Sequence, residues 1–395
     1  MKLPGTLGHL TYCLNIHATQ TWDDVRDALL GPVAAVKAEI CPDAPFAVGL
    51  RFSGEAMDAL ADPAKRAELK TIMDSCGYHG ITVNGFPYGR FHGTRVKEEV
   101  YQPDWRSPER VRYTNALADL MAEIAPPGEV ISLSTVPATF KPLADGAVPD
   151  MAANYLASVA HLIALQQRSG VTVALAIEPE PSCYLETIDE TVDFFRDHLF
   201  SDAAVDWIAQ TTGLTQEQAT QALPTHIGLC YDVCHAAVEY EDPAGSIKVL
   251  RDAGIPIHKL QLSAALRVPE MGPAQRDALA SFDEPTYLHQ VIRRTPQGLK
   301  FHLDLPEALE LGDATDGEEW RIHFHVPVFV DDLGAFGSTR EFLEDVLAIH
   351  KAAPISAHLE IETYTWDVLP GSLRSSTVDQ DVVKEFRWVL GELGI

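Results

Sequence analysis

Short apolar, β-branched runs alternate along this chain with longer stretches of helical period, the pattern of repeated strand–helix units around a parallel sheet. Strands are predicted at 9–17, 46–53, 80–88, 130–136, 171–180, 227–235, 257–265, 322–329 and 357–365. Thr21-Trp22-Asp23-Asp24 opens a helix after the first of them. Thr187 with Glu190, and Ser338 with Glu341, have the spacing of a capping box, in which side chains satisfy the free N–H groups of a first helical turn. Gly77 follows a helix ending near Ser75, and Gly170 follows the apolar-striped helix 151–168; both positions suit left-handed C-terminal caps.

Eight parallel strands with eight helices close into a barrel, so one of the nine runs is surplus. The stretch 266–330 carries Pro269, Pro273, Pro285, Pro296 and Pro306 and has mixed polarity. It reads as an excursion after the seventh strand that returns over the barrel mouth. The expected architecture is therefore one (β/α)₈ TIM-barrel domain over residues 1–395, with 266–330 inserted. A doubly wound open sheet would bring a GxGxxG turn after the first strand, and none is present.

Charge narrows the partners. Asp and Glu number 57 against 30 Lys and Arg, a net charge of −27, which opposes a phosphate-backbone partner; no nucleic acid is expected. No run approaches the length of a membrane span, and Met1-Lys2-Leu3-Pro4-Gly5 is not the start of a signal peptide, so no membrane insertion and a cytoplasmic location are expected. Six cysteines without a CxxC pair point to reduced thiols rather than a disulfide framework or zinc knuckle.

In a barrel of this kind the reactive groups sit at the carboxyl ends of the strands, so polar residues that close apolar runs are the candidates. The fifth strand ends in Glu178-Pro179-Glu180; Glu178 is the candidate ligand and Glu180 reads as the solvent-facing one. The sixth ends in Asp232-Val233-Cys234-His235, a mixed oxygen and nitrogen set that reaches one cavity only if the chain bends off the strand after Asp232. In the last strand, alternation places His358, Glu360, Glu362 and Tyr364 on one face. Gln261 and Ser263 end the seventh strand, Gln261 as a ligand, an outer-sphere group or a substrate contact. Arg321-Ile322-His323-Phe324-His325 puts two histidines on one strand face, as further metal ligands, substrate contacts or a satisfied polar rung. Tyr88, Arg90 and His92 lie in the Gly-rich, aromatic loop 84–93, which reads as a substrate-enclosing loop; Asn15 ends the first strand. HExxH, GxSxG and phosphate-cradling motifs are absent.

Glu178, Asp232-x-x-His235, Gln261, His325 and Glu360, in that order at strand ends, resemble the xylose isomerase-like TIM-barrel superfamily of sugar isomerases, epimerases and endonuclease IV-type enzymes. Segments such as Val83-Asn84-Gly85-Phe86-Pro87-Tyr88-Gly89, His323-Phe324-His325-Val326-Pro327 and His358-Leu359-Glu360-Ile361-Glu362-Thr363-Tyr364 resemble the bacterial EboE family of metabolite traffic proteins. The superfamily resemblance implies one divalent metal (Mn, Zn, Mg or Co) on Glu178, Asp232, Glu360 and Gln261, the last standing where histidine is usual. His235, with His323 and His325, would serve an additional metal or the substrate. The aspartate of a three-metal nuclease site is replaced by His323, so that full site is not implied.

These readings give an isomerase or epimerase acting on a small polar metabolite with adjacent oxygens, with Glu178 or Glu360 moving the proton. Arg90, His92, Tyr88, Glu362 and Arg321 would contact substrate. The alternatives are an EboE-type carrier that binds without turnover, and a metal-dependent phosphoester hydrolase.

Overall fold

In the computed structural model, which describes residues 1–369 and 377–395, eight parallel strands form a nearly closed barrel. They are β1 (His9–Tyr12), β2 (Phe46–Arg51), β3 (Tyr78–Asn84), β4 (Ile131–Thr135), β5 (Val173–Ile177), β6 (Ile227–Asp232), β7 (Ile257–Leu262) and, at the far end of the chain, β13 (His358–Ile361). The ladder runs β1-β13-β7-β6-β5-β4-β3-β2, and a parallel bridge between Cys13 and Gly49 brings the first and last members together. Helices cover the outside, so the strands are buried on both faces, which explains why they read as continuous apolar runs rather than alternating ones.

The surplus run is 322–329, which does not enter the barrel. It forms β11 (Glu319–Val326) of a second, antiparallel sheet with β8 (Ala264–Val268), β9 (Val291–Thr295), β10 (Gly298–His302) and β12 (Gly337–Ser338), ordered β10-β9-β11-β8-β12. Ser263 alone separates β7 from β8. The chain thus leaves the barrel two residues earlier than the prolines suggested, because 264–268 is itself apolar enough to be a buried strand.

Helix ends follow their local chemistry. Thr187 and Glu190 exchange both bonds of a capping box, as do Thr21 and Asp24, while Gly77 (φ 65°) and Gly170 (φ 75°) close their helices in the left-handed region. Ser338 and Glu341 form no capping box. Ser338 belongs to β12 and spends its hydroxyl on the Val330 carbonyl (2.7 Å), so the helix Arg340–Ala352 starts one residue later. Among the described residues, no helix is long and apolar enough to cross a membrane.

Candidate metal centre

The polar side chains inside the barrel are stacked in layers, and the layers decide which of them meet. Lowest of the functional layers, Lys259 of β7 and Glu360 of β13 form an ion pair with both side chains wholly buried. Lys259 also donates to Ser134 Oγ (3.2 Å), and its charge is held on strongly: burial opposes it, but Glu360 and the nearby thiols and carboxylates overcome that cost. Gly49 makes room for this pair, since a Cβ there would collide with the Glu360 carboxylate.

One layer up, at the carboxyl ends of the strands, Glu178, Asp232 and Glu362 converge, with one oxygen of each within 4.8 Å of the others. Gln261 sits among them. Its amide nitrogen donates to Glu178 Oε1 (2.8 Å), Asp232 Oδ2 (3.2 Å) and Glu362 Oε2, while its carbonyl oxygen faces the Cys230 thiol, which donates to it (2.8 Å). Asn15 and Asn84 donate to Glu362 Oε1 at 2.6 and 2.9 Å; Ser263 and the backbone N–H of His235 donate to Asp232 Oδ1 at 2.8 and 3.0 Å. Glu178 Oε2 is buried with no partner. Burial, reinforced by the neighbouring Asp232 charge, pushes the Glu178 carboxyl up to about 8; burial and then Glu178 raise Glu362 well above the ordinary carboxylate range.

Glu360 therefore stands outside the group in which the resemblance placed it, and Glu362 takes its place. Strand alternation puts both on the same face but two residues apart along the strand; Glu362 has an oxygen within 4.8 Å of Glu178 and Asp232, while Glu360 pairs with Lys259. Gln261, placed among the metal ligands by the same resemblance, presents its donor nitrogen to the carboxylates and not its ligating oxygen.

The third layer joins barrel to insertion. The chain bends at Asp232, which caps the short helix Val233–Val238 and so swings His235 over the same cavity. β11 brings His323 and His325 against it, helped by a register shift between Ile322 and His325, with ring centroids 4.6 Å apart for His235–His323 and 6.3 Å for His235–His325. Each imidazole gives its Nδ1–H to a carbonyl-type oxygen: His235 to Pro179 (2.8 Å), His323 to Gln290 Oε1 (2.8 Å) and His325 to the Glu362 backbone. That leaves Nε2 as the lone-pair nitrogen, the tautomer a metal ligand needs. Nε2 of His323 and of His325 is buried without a partner. Burial and the neighbouring imidazoles depress His323, and burial, partly offset by Asp232, lowers His325 to about 4. Burial also acts against the His235 cation, but Asp232 and Glu180 outweigh it and raise that group. Asp232, His235 and His325 form a second ligand-sized group, and Glu180, His235 and His323 a third.

Glu180 is not solvent-facing. It is buried and accepts from the Tyr101 hydroxyl (2.8 Å), which sequence reading passed over because a Pro–Glu–Pro stretch reads as loop. Tyr101, Gln290 and Tyr287 were missed for a similar reason, lying far from any strand end in the sequence. Lys259 carried a signal: it shares the Gln261 face of the seventh strand, where a lysine requires a buried counter-charge.

Four other predicted substrate contacts are not in the cavity wall. Arg90 is exposed. Tyr88 donates to Glu109 (3.1 Å) and packs on Tyr113. Arg321 turns the opposite way from His323, donating to the Ala237 carbonyl (2.5 Å) with its guanidinium 4.0 Å from the Tyr240 ring centre. His92 braces the wall from behind, donating from Nε2 to the Asn15 carbonyl (2.5 Å) and accepting at Nδ1 from the Tyr287 hydroxyl (2.9 Å).

Above the layers opens a pocket of about 50 Å³, bounded below by Glu178, Glu180, Glu362, His235 and His323 and above by aromatic rings. The donor set, three carboxylates and three imidazoles with three orphaned ligand atoms among them, fits a divalent cation such as Zn²⁺, Mn²⁺ or Co²⁺.

No family model and no curated protein matches the chain, so the EboE resemblance stands on the quoted segments alone. Solved structures do match. A xylose isomerase-like TIM-barrel protein from Mycobacterium smegmatis in complex with magnesium is 11% identical, covering 98% of this chain and 96% of its own, with a TM-score of 0.48. The IOLI protein with a zinc atom is 11% identical over 98% of both chains, TM-score 0.44. A D-tagatose 3-epimerase-like protein is 12% identical, covering 64% of this chain and 75% of its own, TM-score 0.39.

Proposed function

We propose that this protein is a divalent-metal-dependent isomerase or epimerase that moves a proton on a small metabolite carrying adjacent oxygens. The observation that carries this reading is Glu178: one carboxylate oxygen is tied to Gln261, the other is buried, unpartnered and raised in basicity, and the residue lines the pocket with His235 and His323. A general base needs such a free oxygen and a proton affinity near the working pH.

Glu178, Asp232 and Glu362 would hold the metal, with Gln261 rotating its amide to present oxygen. When bound, the cation would supply positive charge that polarises a carbonyl oxygen and favours proton loss from the neighbouring C–H. Glu362, fixed by two asparagine amides, holds position rather than moving a proton. Glu178 Oε2 would take the proton from one carbon and deliver it to the adjacent carbon, which moves the carbonyl along the hydroxyl–carbonyl pair. Asp232, locked by Ser263 and the His235 N–H, keeps its charge pointed at the same centre, and the aromatic roof excludes water from the reacting carbon.

Hydrogen–deuterium exchange at the carbon between the two oxygens of a hydroxyketone, run in D₂O with metal-loaded protein, tests this. Exchange in the native protein that falls by about 10²-fold or more in Glu178→Gln supports it; exchange unchanged in that variant rejects it.

A second reading is metal-assisted hydrolysis of a phosphate ester. The sharing of Asp232 between the carboxylate group and the imidazole group favours it, because paired metals with a bridging carboxylate suit in-line displacement. A carrier without turnover, as the EboE resemblance implies, predicts bound metabolite and no exchange.

A further inference from the structure

The roof of the pocket says more about the ligand than the floor does. Phe91 from the loop after β3, Tyr287 from the insertion and Tyr364 from the turn after β13 form a three-ring cluster, with centroids 5.1–5.2 Å apart in every pairing. All three face the pocket, joined by Phe86 and Leu288. Two tyrosine hydroxyls at this wall are engaged elsewhere: Tyr287 donates to His92 (2.9 Å) and Tyr101 to Glu180 (2.8 Å), so these two residues offer rings rather than O–H groups.

The charge of the wall is equally one-sided. Glu178, Glu180 and Glu362 line it, and among the described lining residues Lys97 is the one cation. Its ammonium is bound to Asp304 (2.6 Å), with the Glu284 carbonyl at 3.5 Å. Arg51, buried close by, spends its guanidinium on the carbonyls of Thr19 and Gly89, both at 2.6 Å, and of Pro87 at 3.3 Å. Among the described lining residues, no Lys or Arg is free to receive a phosphate or carboxylate. Glu178, Glu180 and Glu362 line the wall with Asp232 beneath them, so an anionic ligand finds acids rather than Lys or Arg as neighbours there.

On this basis, and resting on the metal-centred reading above, we propose that the ligand is an uncharged molecule in which a flat apolar ring is joined to a pair of adjacent oxygens, the oxygens reaching the carboxylate floor and the ring lying under Phe91, Tyr287 and Tyr364. Sugar phosphates are excluded by the same chemistry.

Calorimetric titration of Mn²⁺-loaded protein with 1-phenyl-1,2-ethanediol, 1,2-propanediol, glycerol and glycerol 1-phosphate tests the assignment. The phenyl diol is expected to bind about tenfold more tightly than propanediol, in keeping with one aromatic contact, and glycerol 1-phosphate more weakly than glycerol. Phe91→Leu, which keeps apolar volume but removes a ring, is expected to lose most of the phenyl advantage, while Tyr287→Phe keeps it. Equal or absent binding of the two diols, tightest binding of the phosphate ester, or an undiminished phenyl advantage in Phe91→Leu overturns the proposal. Metal content measured on the same samples separates the two readings: a phenyl preference in protein that takes up no Mn²⁺ rejects the metal centre and leaves the ligand class standing.

Discussion

Lys259 and Glu360 face each other on the barrel axis, both completely buried, one layer beneath the carboxylates that line the pocket floor. The pair is a sealed charge balance under the site and not part of its open face. Breaking one half strands a charge in a low-dielectric interior. Lys259→Met is expected to cost about 3–5 kcal/mol in urea unfolding, and Lys259→Met combined with Glu360→Gln to recover most of it. A single-variant loss under about 1 kcal/mol would show that water or another group compensates Glu360.

Gln261 acts as an internal stand-in for a cation, its two amide protons shared among three carboxyl groups. Gln261→Leu removes those donors and is expected to cost the metal-free protein about 1–3 kcal/mol. Saturating Mn²⁺ should return the melting temperature of the variant towards that of the native protein. A variant whose stability is the same with EDTA and with metal contradicts the assignment of this position.

The imidazole group is separable from the carboxylate group. Stepwise Zn²⁺ titration with mass-spectrometric counting should find that His325→Ala loses ions bound through the Asp232, His235 and His325 group but keeps any held by Glu178, Asp232 and Glu362. Loss of all metal in that variant would show a single shared centre.

Glu385 on the C-terminal helix Val378–Leu393 is buried, accepts from Thr363 (2.5 Å) and from the Val328 N–H (3.2 Å), and is pushed by burial to about 8. Its folded-state value lies above its unfolded one, so the folded state holds the proton more tightly. The contribution is complete below about 4.5 and disappears as pH rises through about 8. Glu385→Gln is expected to flatten that slope and to be about 1–2 kcal/mol more stable than the native protein at pH 8, relative to their difference at pH 5. Parallel pH–stability curves for the two proteins would refute it.

The barrel was legible because its strands are apolar on both faces and end abruptly in charge, as in Ile177-Glu178 and Tyr231-Asp232. The choice between Glu360 and Glu362 was not, since a period of two fixes which face a residue takes but not its height along the barrel axis. Height depends on the stagger between strands, and that is a property of the closed ring. The bend after Asp232 was foreseen as a condition for His235 to reach the cavity, and the chain meets it by starting a helix there. Arg321 does not reach the pocket, because its guanidinium is spent on the Ala237 carbonyl and the Tyr240 ring. Tyr287 and Gln290 reach the site only through the folding of the second sheet, which no local pattern specified.

The carboxylates of the centre hang from barrel strands, whereas His323 and His325 come from the sheet that leaves the barrel at Ser263. Loops and insertions between barrel strands vary between relatives far more freely than the strands themselves. Part of the imidazole set is therefore exchangeable in evolution: a chain that shortened the excursion would keep the three carboxylates with His235, Phe91 and Tyr364, and lose His323, His325 and Tyr287 together, changing metal preference and ligand choice in one event.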